Sequence, residues 1–255
     1  MRGVAVVTGA GRGLGAAIAH EFRLAGYEVF ATDISGTDVV LDVTDAEACR
    51  RFAAETDPVV WVNNAAVLGP GRAAEQPDAL LHRVVETNLL GTIHGTRAAV
   101  AVMRRRAGGR GEGRIINVGS IGSWFPVPGE AVYGATKAAV LSFTLALQVE
   151  LRQQGISSIR LSVLCPDGML TPMVTEQLHN PAAALSFSGL RPLDPQRVAR
   201  QAVALVDRPR PIRSVPRWRG AAVRVAGAVP DRTLWLAPLF TRIGERNRRG
   251  LGGRS

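Results

Sequence analysis

The order of apolar runs along the chain is the feature that most restricts its fold. Short runs rich in valine and isoleucine alternate with longer amphipathic stretches, and turn residues separate the two. Strands and helices that alternate in this way form an open parallel sheet with right-handed crossovers and helices on both faces. The sequence therefore predicts an α/β fold with a doubly wound parallel sheet. The predicted strands are 3–7, 27–32, 39–43, 59–62, 114–118, 158–164 and 211–216, and the predicted helices are 14–24, 45–55, 77–106 and 131–154, with a loop at 107–114.

Charge divides the chain into two parts. Residues 1–207 hold 19 basic and 19 acidic side chains, whereas residues 208–255 hold 12 arginines against Asp231 and Glu245. The last part therefore carries the whole net charge of +10. We expect a single neutral domain over 1–207, followed by a basic helical C-terminal extension over 208–255 that is physically separate from it.

The ends and the cysteines indicate the compartment. Residues 1–15 lack the pattern of a signal peptide, and no apolar run approaches the length of a membrane helix. Cys49 and Cys165 form neither a disulfide framework nor a metal-ligand spacing. The sequence predicts a cytoplasmic protein without a metal site.

A glycine-dense turn, Thr8-Gly-Ala-Gly-Arg-Gly-Leu-Gly15, joins the first predicted strand to the first helix. Glycines let the backbone approach a pyrophosphate, whose charge is favourable at a helix N-terminus. Such a turn also fits a plain strand–helix connection, but its position in the chain favours dinucleotide binding and a Rossmann-type sheet. The expected cofactor contacts in the turn are Gly9, Arg12, Gly13, Leu14 and Gly15.

Asp33 ends the second predicted strand, 18 residues after Gly15. A carboxylate there accepts hydrogen bonds from the adenosine ribose and repels a 2′-phosphate. Arg12 could pair with such a phosphate or be a solvated loop charge. Because the phosphate would face Asp33, we expect NAD, with NADP the less favoured cofactor.

Lys137 is the only lysine beside thirty arginines, and it follows Tyr133, one of two tyrosines, by four residues. The two side chains lie one helical turn apart on one face. A compact ammonium fits where the wide guanidinium fork does not, so this position indicates a specific need for lysine. The spacing alone also fits a lysine that persists by chance on a solvated helix face.

Together these motifs resemble the classical short-chain dehydrogenase/reductase (SDR) family over about residues 1–205. Ser120 lies thirteen residues before Tyr133, and Asn88 lies twenty-four after Asn64, as in the family pattern. The matching residues are the turn from Thr8 to Gly15, Asp42-Val43, Asn63-Asn64-Ala65, Asn88, Ser120, Tyr133, Lys137, Pro166 and Thr171.

The resemblance implies a catalytic role for four residues. Tyr133 would exchange a proton with the substrate alcohol or carbonyl, and Lys137 would hold the nicotinamide ribose. Ser120 would hydrogen-bond the substrate oxygen, and Asn88 would organise a water that relays protons through Lys137. We expect the ammonium and the nicotinamide cation to lower the pKa of the Tyr133 phenol from about 10.

The resemblance also implies further cofactor contacts and assembly as a homo-oligomer. The chain departs from the family at Ala66, where a glycine is usual, and at Asp167, where a glycine usually follows the proline. Gly168 stands one position late, so we expect a nicotinamide-side loop of different shape. The implied contacts are Asp42 and Val43 at the adenine, Asn64, Ala65 and Ala66 at the adenosine ribose, and Pro166, Gly168, Met169 and Thr171 at the nicotinamide.

Residues 172–194 occupy the segment that forms a substrate lid in this family. Its apolar residues, with those that follow Ser120, favour an apolar pocket, although a lid that merely packs on the body has the same composition. We expect a small hydrophobic secondary alcohol or ketone as substrate. The apolar residues are Met173, Leu178, Leu185, Phe187 and Leu190 in the lid, and Trp124, Phe125 and Val127 after the serine.

The extension contains a predicted amphipathic helix that begins with Asp231 as N-cap and stops at Gly250. Such a basic helix can lie on an anionic membrane surface, and it can equally pack on the body or on a second subunit. A specific nucleic-acid partner is not expected, because the body contains no recognised binding module. The apolar face is assigned to Leu236, Leu239, Phe240 and Ile243, with Arg242, Arg246 and Arg249 around the other face.

The leading interpretation is an NAD(P)-dependent oxidoreductase of the SDR type that interconverts a hydrophobic secondary alcohol and ketone, with Tyr133 as general acid/base. The alternatives are an NADP-dependent 3-oxoacyl reductase and a noncatalytic dinucleotide-binding sensor or scaffold at a membrane.

Overall fold

A parallel sheet is the centre of the molecule. The structure is a computed structural model that describes residues 1–106, 108, 111–189 and 192–252. Within these residues the strands are β1 Val4–Thr8, β2 Glu28–Asp33, β3 Val39–Val40, β4 Val60–Asn63, β5 Gly113–Val118, β6 Ile159–Pro166 and β7 Ile212–Val215. All pair in parallel, in the order β3-β2-β1-β4-β5-β6-β7. The predicted doubly wound α/β fold is confirmed, with its topological switch point between β1 and β4.

Helices cover both faces of the sheet. One face packs on α1 and α7, and the other packs on α2 and α4 around Trp61 and Met103. Because the central strands are covered on both sides, they are continuously buried, as in β4. The helices are α1 Gly13–Leu24, α2 Ala46–Thr56, α3 Asp78–Val85, α4 Gly91–Met103, α5 Ala131–Gln153, α6 Pro172–Thr175, α7 Pro195–Asp207, α8 Arg217–Ala228, α9 Pro230–Thr233 and α10 Ala237–Gly252.

A buried polar network holds α5 against the sheet. The Asn63 amide oxygen accepts from Trp61 Nε1 at 2.7 Å, and its nitrogen donates to Asn117 Oδ1 at 2.8 Å. Asn117 in turn donates to Thr144 Oγ1 of α5 at 2.8 Å. A network whose members are all satisfied fixes one arrangement of its elements. It therefore fixes the helix that carries Tyr133 and Lys137.

Several predicted boundaries are wrong. The predicted helix 77–106 is divided by a π-helical turn, Glu86–Leu90, and the third strand keeps only Val39–Val40. Asp231 lies inside the first turn of α9 rather than at an N-cap, and α10 continues past Gly250 to Gly252. The predicted loop at 107–114 lies partly outside the described residues, and β5 already begins at Gly113.

The prediction that no segment has the length and hydropathy of a membrane helix is also wrong. By these two criteria α5 qualifies, with 23 residues and a mean hydropathy of 1.3 over its most apolar part. A core helix meets the same criteria. Since α5 packs on the sheet through Val140 and Leu141, its hydropathy carries no argument for a membrane span.

The C-terminal extension belongs to the same unit as the body. Its strand β7 completes the sheet, and its helices α8 and α10 pack back onto the body through close backbone contacts. A Cβ on Gly227 would lie 1.9 Å from Trp124 O, and a Cβ on Gly244 would lie 1.9 Å from Ala184 O. Glycine is required where two backbones approach this closely. The charge boundary at 207 is therefore not a structural boundary.

Candidate active site

A cleft of about 1000 Å³ lies outside the carboxyl ends of β1, β2, β4 and β5. Its floor is the turn between β1 and α1, where Gly9 and Gly13 have positive φ values of 64° and 60°. A Cβ on Gly9 would lie 2.5 Å from Ala65 Cα, and one on Gly15 would lie 2.1 Å from Gly9 O. The turn therefore needs glycine at these positions, and it presents bare backbone to the cleft at the start of α1, as a pyrophosphate site requires.

Asn64 and Thr8 hold this turn in place. The Asn64 side chain donates to Thr8 O at 3.0 Å and to Gly9 O at 2.9 Å. The Thr8 hydroxyl accepts from the backbone nitrogens of Asn64 at 3.1 Å and Ala65 at 3.2 Å. Asn64 thus shapes the cleft with its side chain while its backbone runs along the cleft wall.

Asp33 lies at the end of β2, on the rim of the cleft. Its Oδ2 accepts from Gly11 N at 2.9 Å, and its Oδ1 accepts from Ile34 N at 2.7 Å. Arg12 is the residue that could pair with the 2′-phosphate of NADP. It forms an exposed ion pair with Glu176 of the lid. Its charge is therefore engaged within the protein.

The cleft brings together nearly all of the predicted cofactor contacts. The exception is Gly168, which lies in the neighbouring cavity with its Cα facing Ser186 O. Asp42 is also used locally, because its carboxylate accepts from Thr44 N at 2.9 Å. The predicted residues that line the cleft are Gly9, Arg12, Gly13, Leu14, Gly15, Asp33, Asp42, Val43, Asn64, Ala65, Ala66, Tyr133, Lys137, Pro166, Met169 and Thr171.

Tyr133 and Lys137 lie on the same face of α5, at the inner end of the cleft. The Lys137 ammonium is buried, donates to Val118 O at 2.8 Å, and lies 5.5 Å from the centre of the Tyr133 ring. Ser120 follows β5, and its hydroxyl accepts from Gly122 N at 3.0 Å at the start of a short 3-10 turn. Three of the four side chains predicted to be catalytic thus lie around one place, at the border of the cleft and the neighbouring cavity.

Burial shifts the acidity of these groups. Desolvation lowers the pKa of Lys137 to about 8, with a smaller opposite effect of Cys165. Desolvation and the charge of Glu130 raise the pKa of Tyr133 well above its ordinary value, against a hydrogen bond from Ser120. The residues of the protein therefore raise the pKa of the phenol, whereas the sequence predicts a lowered pKa for the site with its cofactor bound. The expected decrease would have to come from the charge of a bound nicotinamide.

Asn88 lies in the π-helical turn between α3 and α4 and is fully buried. Its amide oxygen accepts from Val67 N at 2.8 Å, and its amide nitrogen donates to Val67 O at 2.9 Å. The same nitrogen lies 3.3 Å from the Thr136 hydroxyl, one residue before Lys137. Asn88 therefore joins the loop after β4 to α5. Its predicted role in a water relay stays a prediction.

A second cavity, of about 510 Å³ and mostly apolar, adjoins the cleft. Tyr133 borders both spaces, and Ser120 borders the cavity. The lid contributes Met173 and Leu185 to its wall, as predicted, whereas Leu190 lies outside the described residues. Phe125 and Val127 also line it as predicted, and α8 and α10 of the extension add further wall. Leu178, Phe187 and Trp124 do not line it, because the two lid residues pack with Val174 and Trp124 packs against Arg224. A dinucleotide in the cleft and a substrate in the cavity would therefore meet at Tyr133.

Three polar residues of this cavity are missed by sequence reasoning. Glu130 precedes α5, is 4% exposed, and accepts from Ser186 Oγ at 2.6 Å. Asp167 pairs with Arg219 of α8 at 3.0 Å, and both side chains are largely buried. Asp167 was visible as a departure from the family pattern, but nothing in the sequence connects it to Arg219, which lies 52 residues further along the chain.

No metal site is formed by the part of the chain that the structure describes, since no three His, Cys, Asp or Glu side chains come together there.

The similarity of the chain to known proteins leads to the same interpretation as the geometry of the site. A family model described as short chain dehydrogenase matches residues 3–182. The probable oxidoreductase EphD of Mycobacterium tuberculosis is 31% identical over 243 residues, which cover 82% of this chain and 40% of that relative. This chain thus spans well under two thirds of that relative's length.

Solved structures are also similar to the chain, and two of them were determined with a nicotinamide cofactor. A short chain dehydrogenase/reductase from Burkholderia phymatum in complex with NAD has a TM-score of 0.76 and 24% identity, over 90% of this chain and 94% of that one. A variant of the actinorhodin polyketide ketoreductase with NADPH has a TM-score of 0.69 and 29% identity, over 80% and 90% of the two chains. With the cleft, the Tyr133–Lys137 pair and the matched residues taken together, the chain belongs to the short-chain dehydrogenase/reductase family of oxidoreductases.

Proposed function

We propose that this protein interconverts a hydrophobic secondary alcohol and its ketone, with NAD as the hydride carrier. The observation that carries the proposal is the position of Tyr133 at the junction of the glycine-floored cleft and the apolar cavity. A side chain there can contact a cofactor on one side and a substrate on the other. The lining of the cavity supports a substrate that is largely apolar.

The residues of the cleft fit a nicotinamide dinucleotide. The glycine turn would hold the pyrophosphate, Asp33 the adenosine ribose, and Lys137 the second ribose. When bound, the nicotinamide ring supplies or accepts the hydride. Asp33 supports NAD, because a 2′-phosphate would face its carboxylate at the rim of the cleft.

Tyr133 would move the proton. In the direction of ketone reduction, the phenol would give its proton to the carbonyl oxygen as the carbonyl carbon is reduced. The raised pKa of Tyr133 favours the protonated phenol, which is the form that this direction uses. Ser120 would hold the substrate oxygen, and Lys137 keeps two ammonium protons beyond the one given to Val118 O.

An NADP-dependent 3-oxoacyl reductase is the second candidate, favoured by the likeness to the polyketide ketoreductase with NADPH. Steady-state titration of NADH and NADPH against a 3-oxoacyl thioester and a panel of hydrophobic ketones separates the two. A dinucleotide-binding sensor or scaffold without catalysis would turn over none of these substrates with either cofactor. Homo-oligomeric assembly and a cytoplasmic location stay predictions.

The proposal is tested by replacing each of the two tyrosines of the chain with phenylalanine. Tyr133→Phe removes the proton donor and is expected to lower turnover at least about 100-fold, while NADH binding, followed by fluorescence, stays close to wild type. Tyr27→Phe is the matched control, because Tyr27 is buried in the core, where its ring and that of Phe22 form a T-shaped pair. Normal turnover by Tyr133→Phe would refute the assignment.

A further inference from the structure

The exposed surface of the C-terminal extension combines large apolar side chains with arginines. Trp235 is 72% exposed and Leu239 is 53% exposed, although a folded chain normally buries such side chains in part. Leu239, Arg242, Arg246 and Arg249 share the outward face of α10, because they recur at helical spacing and all four are exposed. The predicted grouping of Leu239 with the inward apolar face is therefore wrong.

The inward face of α10 is already used. Phe240 and Ile243 of α10 line the apolar cavity together with Leu236, which directly precedes the helix. Gly244 packs on Ala184 of the lid. Asn247 fixes the helix by donating to Phe187 O at 2.9 Å. Among the described residues, the body covers this face of α10 and leaves the outward face exposed.

The outward face is continuous with the cavity. Phe240 and Ile243 line the cavity and are nevertheless 39% and 37% exposed. Trp218 of α8 also lines the cavity and is 61% exposed. The apolar cavity therefore opens to the surface among exposed apolar residues, beside the arginines of α10.

We propose that this surface, formed by Trp218, Trp235, Leu239, Phe240 and Ile243 with Arg242, Arg246 and Arg249, docks on an anionic lipid membrane. The charge of the extension, 12 arginines against two acidic residues, is complementary to anionic headgroups. A tryptophan and aliphatic side chains beside arginines are the composition of a helix that lies in the membrane interface. The body, with 19 basic and 19 acidic side chains, adds no net opposing charge.

Other occupants fit less well. A second copy docked through the same face would bring Arg242, Arg246 and Arg249 against their own counterparts. A nucleic acid would meet the arginines, but the aliphatic Leu239 and Ile243 would remain without an apolar partner. An anionic bilayer offers both kinds of contact at the same surface.

Docking would place the mouth of the cavity at the membrane. An apolar substrate could then move from the bilayer to Tyr133 without crossing water, a consequence that rests on the proposed function. The docking itself does not, because it requires no turnover.

The test is sedimentation of the full chain with vesicles of phosphatidylcholine alone and of phosphatidylcholine mixed equally with phosphatidylglycerol. We expect binding to the anionic vesicles that weakens as salt rises. The double variant Arg242→Gln/Arg246→Gln should lower the partition coefficient at least about tenfold, and Trp235→Ser/Leu239→Ser should also lower it. All four side chains are exposed, so the fold should persist, which circular dichroism checks.

Matched controls lie on the body. Leu24→Ser/Val40→Ser removes two apolar side chains that are 69% and 73% exposed, and Arg23→Gln/Arg152→Gln removes two exposed arginines. These variants should bind anionic vesicles like wild type. The proposal is overturned if wild type does not bind anionic vesicles, if the controls weaken binding as much as the extension variants, or if a single-stranded oligonucleotide binds while vesicles do not. Tyr133→Phe should still bind anionic vesicles, so this variant separates the docking from the catalytic assignment.

Discussion

The active site contains two buried ionisable side chains. Lys137 and Glu130 are 2% and 4% exposed, and each is held near the phenol of Tyr133. Burying an ionised group is costly unless it is paired, so such groups persist where they have a function. Lys137 has a backbone carbonyl as its partner and Glu130 has a hydroxyl. Neither has an opposite charge as its hydrogen-bond partner among the described residues.

Lys137→Arg tests whether this position needs a lysine. The guanidinium is wider than the ammonium and cannot take the same place beneath Val118 O without moving its neighbours. We expect overpacking to cost about 1–3 kcal/mol of stability, and misplacement of the donor to lower kcat roughly 100-fold. The control is Arg152→Lys, the reverse exchange at an exposed site of α5, which should leave both unchanged. Full activity of Lys137→Arg would contradict the argument from the lone lysine.

Glu130→Gln tests the cost of the buried carboxyl. Desolvation raises the pKa of Glu130 from 4.5 to about 7, while hydrogen bonds from Ser186 oppose the increase. Between these values only the folded protein holds the proton, so the contribution of Glu130 to stability is fully present below pH 4.5 and is lost as pH rises through about 7. The loss amounts to about 3 kcal/mol, and Glu130→Gln should not show it.

Urea denaturation at acidic and alkaline pH measures this difference. Glu55→Gln, an exposed change on α2, should keep the pH dependence of wild type. If wild type and Glu130→Gln lost stability in parallel as pH rises, Glu130 would not be the group responsible.

At the scale of the elements, the sequence predicts those features that depend on residues close together in the chain. The strands and the glycine turn follow from apolar runs and from glycine spacing, and the cleft residues follow because parallel strands end at one edge. The π-helical turn at Asn88 was not predictable, because helical spacing continues through it. The wall that α8 and α10 add to the cavity was not predictable either. It depends on contacts such as Asp167 with Arg219, which are distant in the sequence.

The Asp167–Arg219 pair is expected to hold α8 in the cavity wall. Asp167→Asn and Arg219→Met should each destabilise the fold by about 3 kcal/mol, because each leaves a largely buried partner without its counter-charge. The double variant should cost less than the sum, since no charge is stranded. With α8 displaced, the KM for an apolar substrate should rise more than kcat falls.

A double-mutant cycle from urea denaturation measures the coupling. Arg217→Met removes an exposed arginine from the same helix and should change stability by less than about 0.5 kcal/mol. Additive effects of the two single changes would show that the ion pair does not anchor α8.

At the scale of the whole molecule, the sheet, the lid and the extension pack against one another. The extension supplies the last strand and a cavity wall, and the lid pairs with the glycine turn through Glu176 and Arg12. A ligand in the cleft therefore contacts parts of the chain from the first turn to the lid. Binding at such a place should stabilise the entire fold, since only the native state assembles the cleft.

This linkage gives a measure of cofactor preference that needs no substrate. At a concentration 100 times its Kd, a ligand adds about 2.7 kcal/mol to the stability of the fold, which corresponds to roughly 5–10 °C in Tm for a chain of this size. We expect NAD to raise Tm more than NADP at equal concentration, because a 2′-phosphate would lie against the Asp33 carboxylate. Asp33→Asn keeps the shape of the side chain and removes its charge, so the difference between the two cofactors should shrink. Asp38→Asn, an exposed change five residues further along, should preserve it. An equal or larger shift with NADP in wild type would reverse the assignment of the cofactor and favour the reductase alternative.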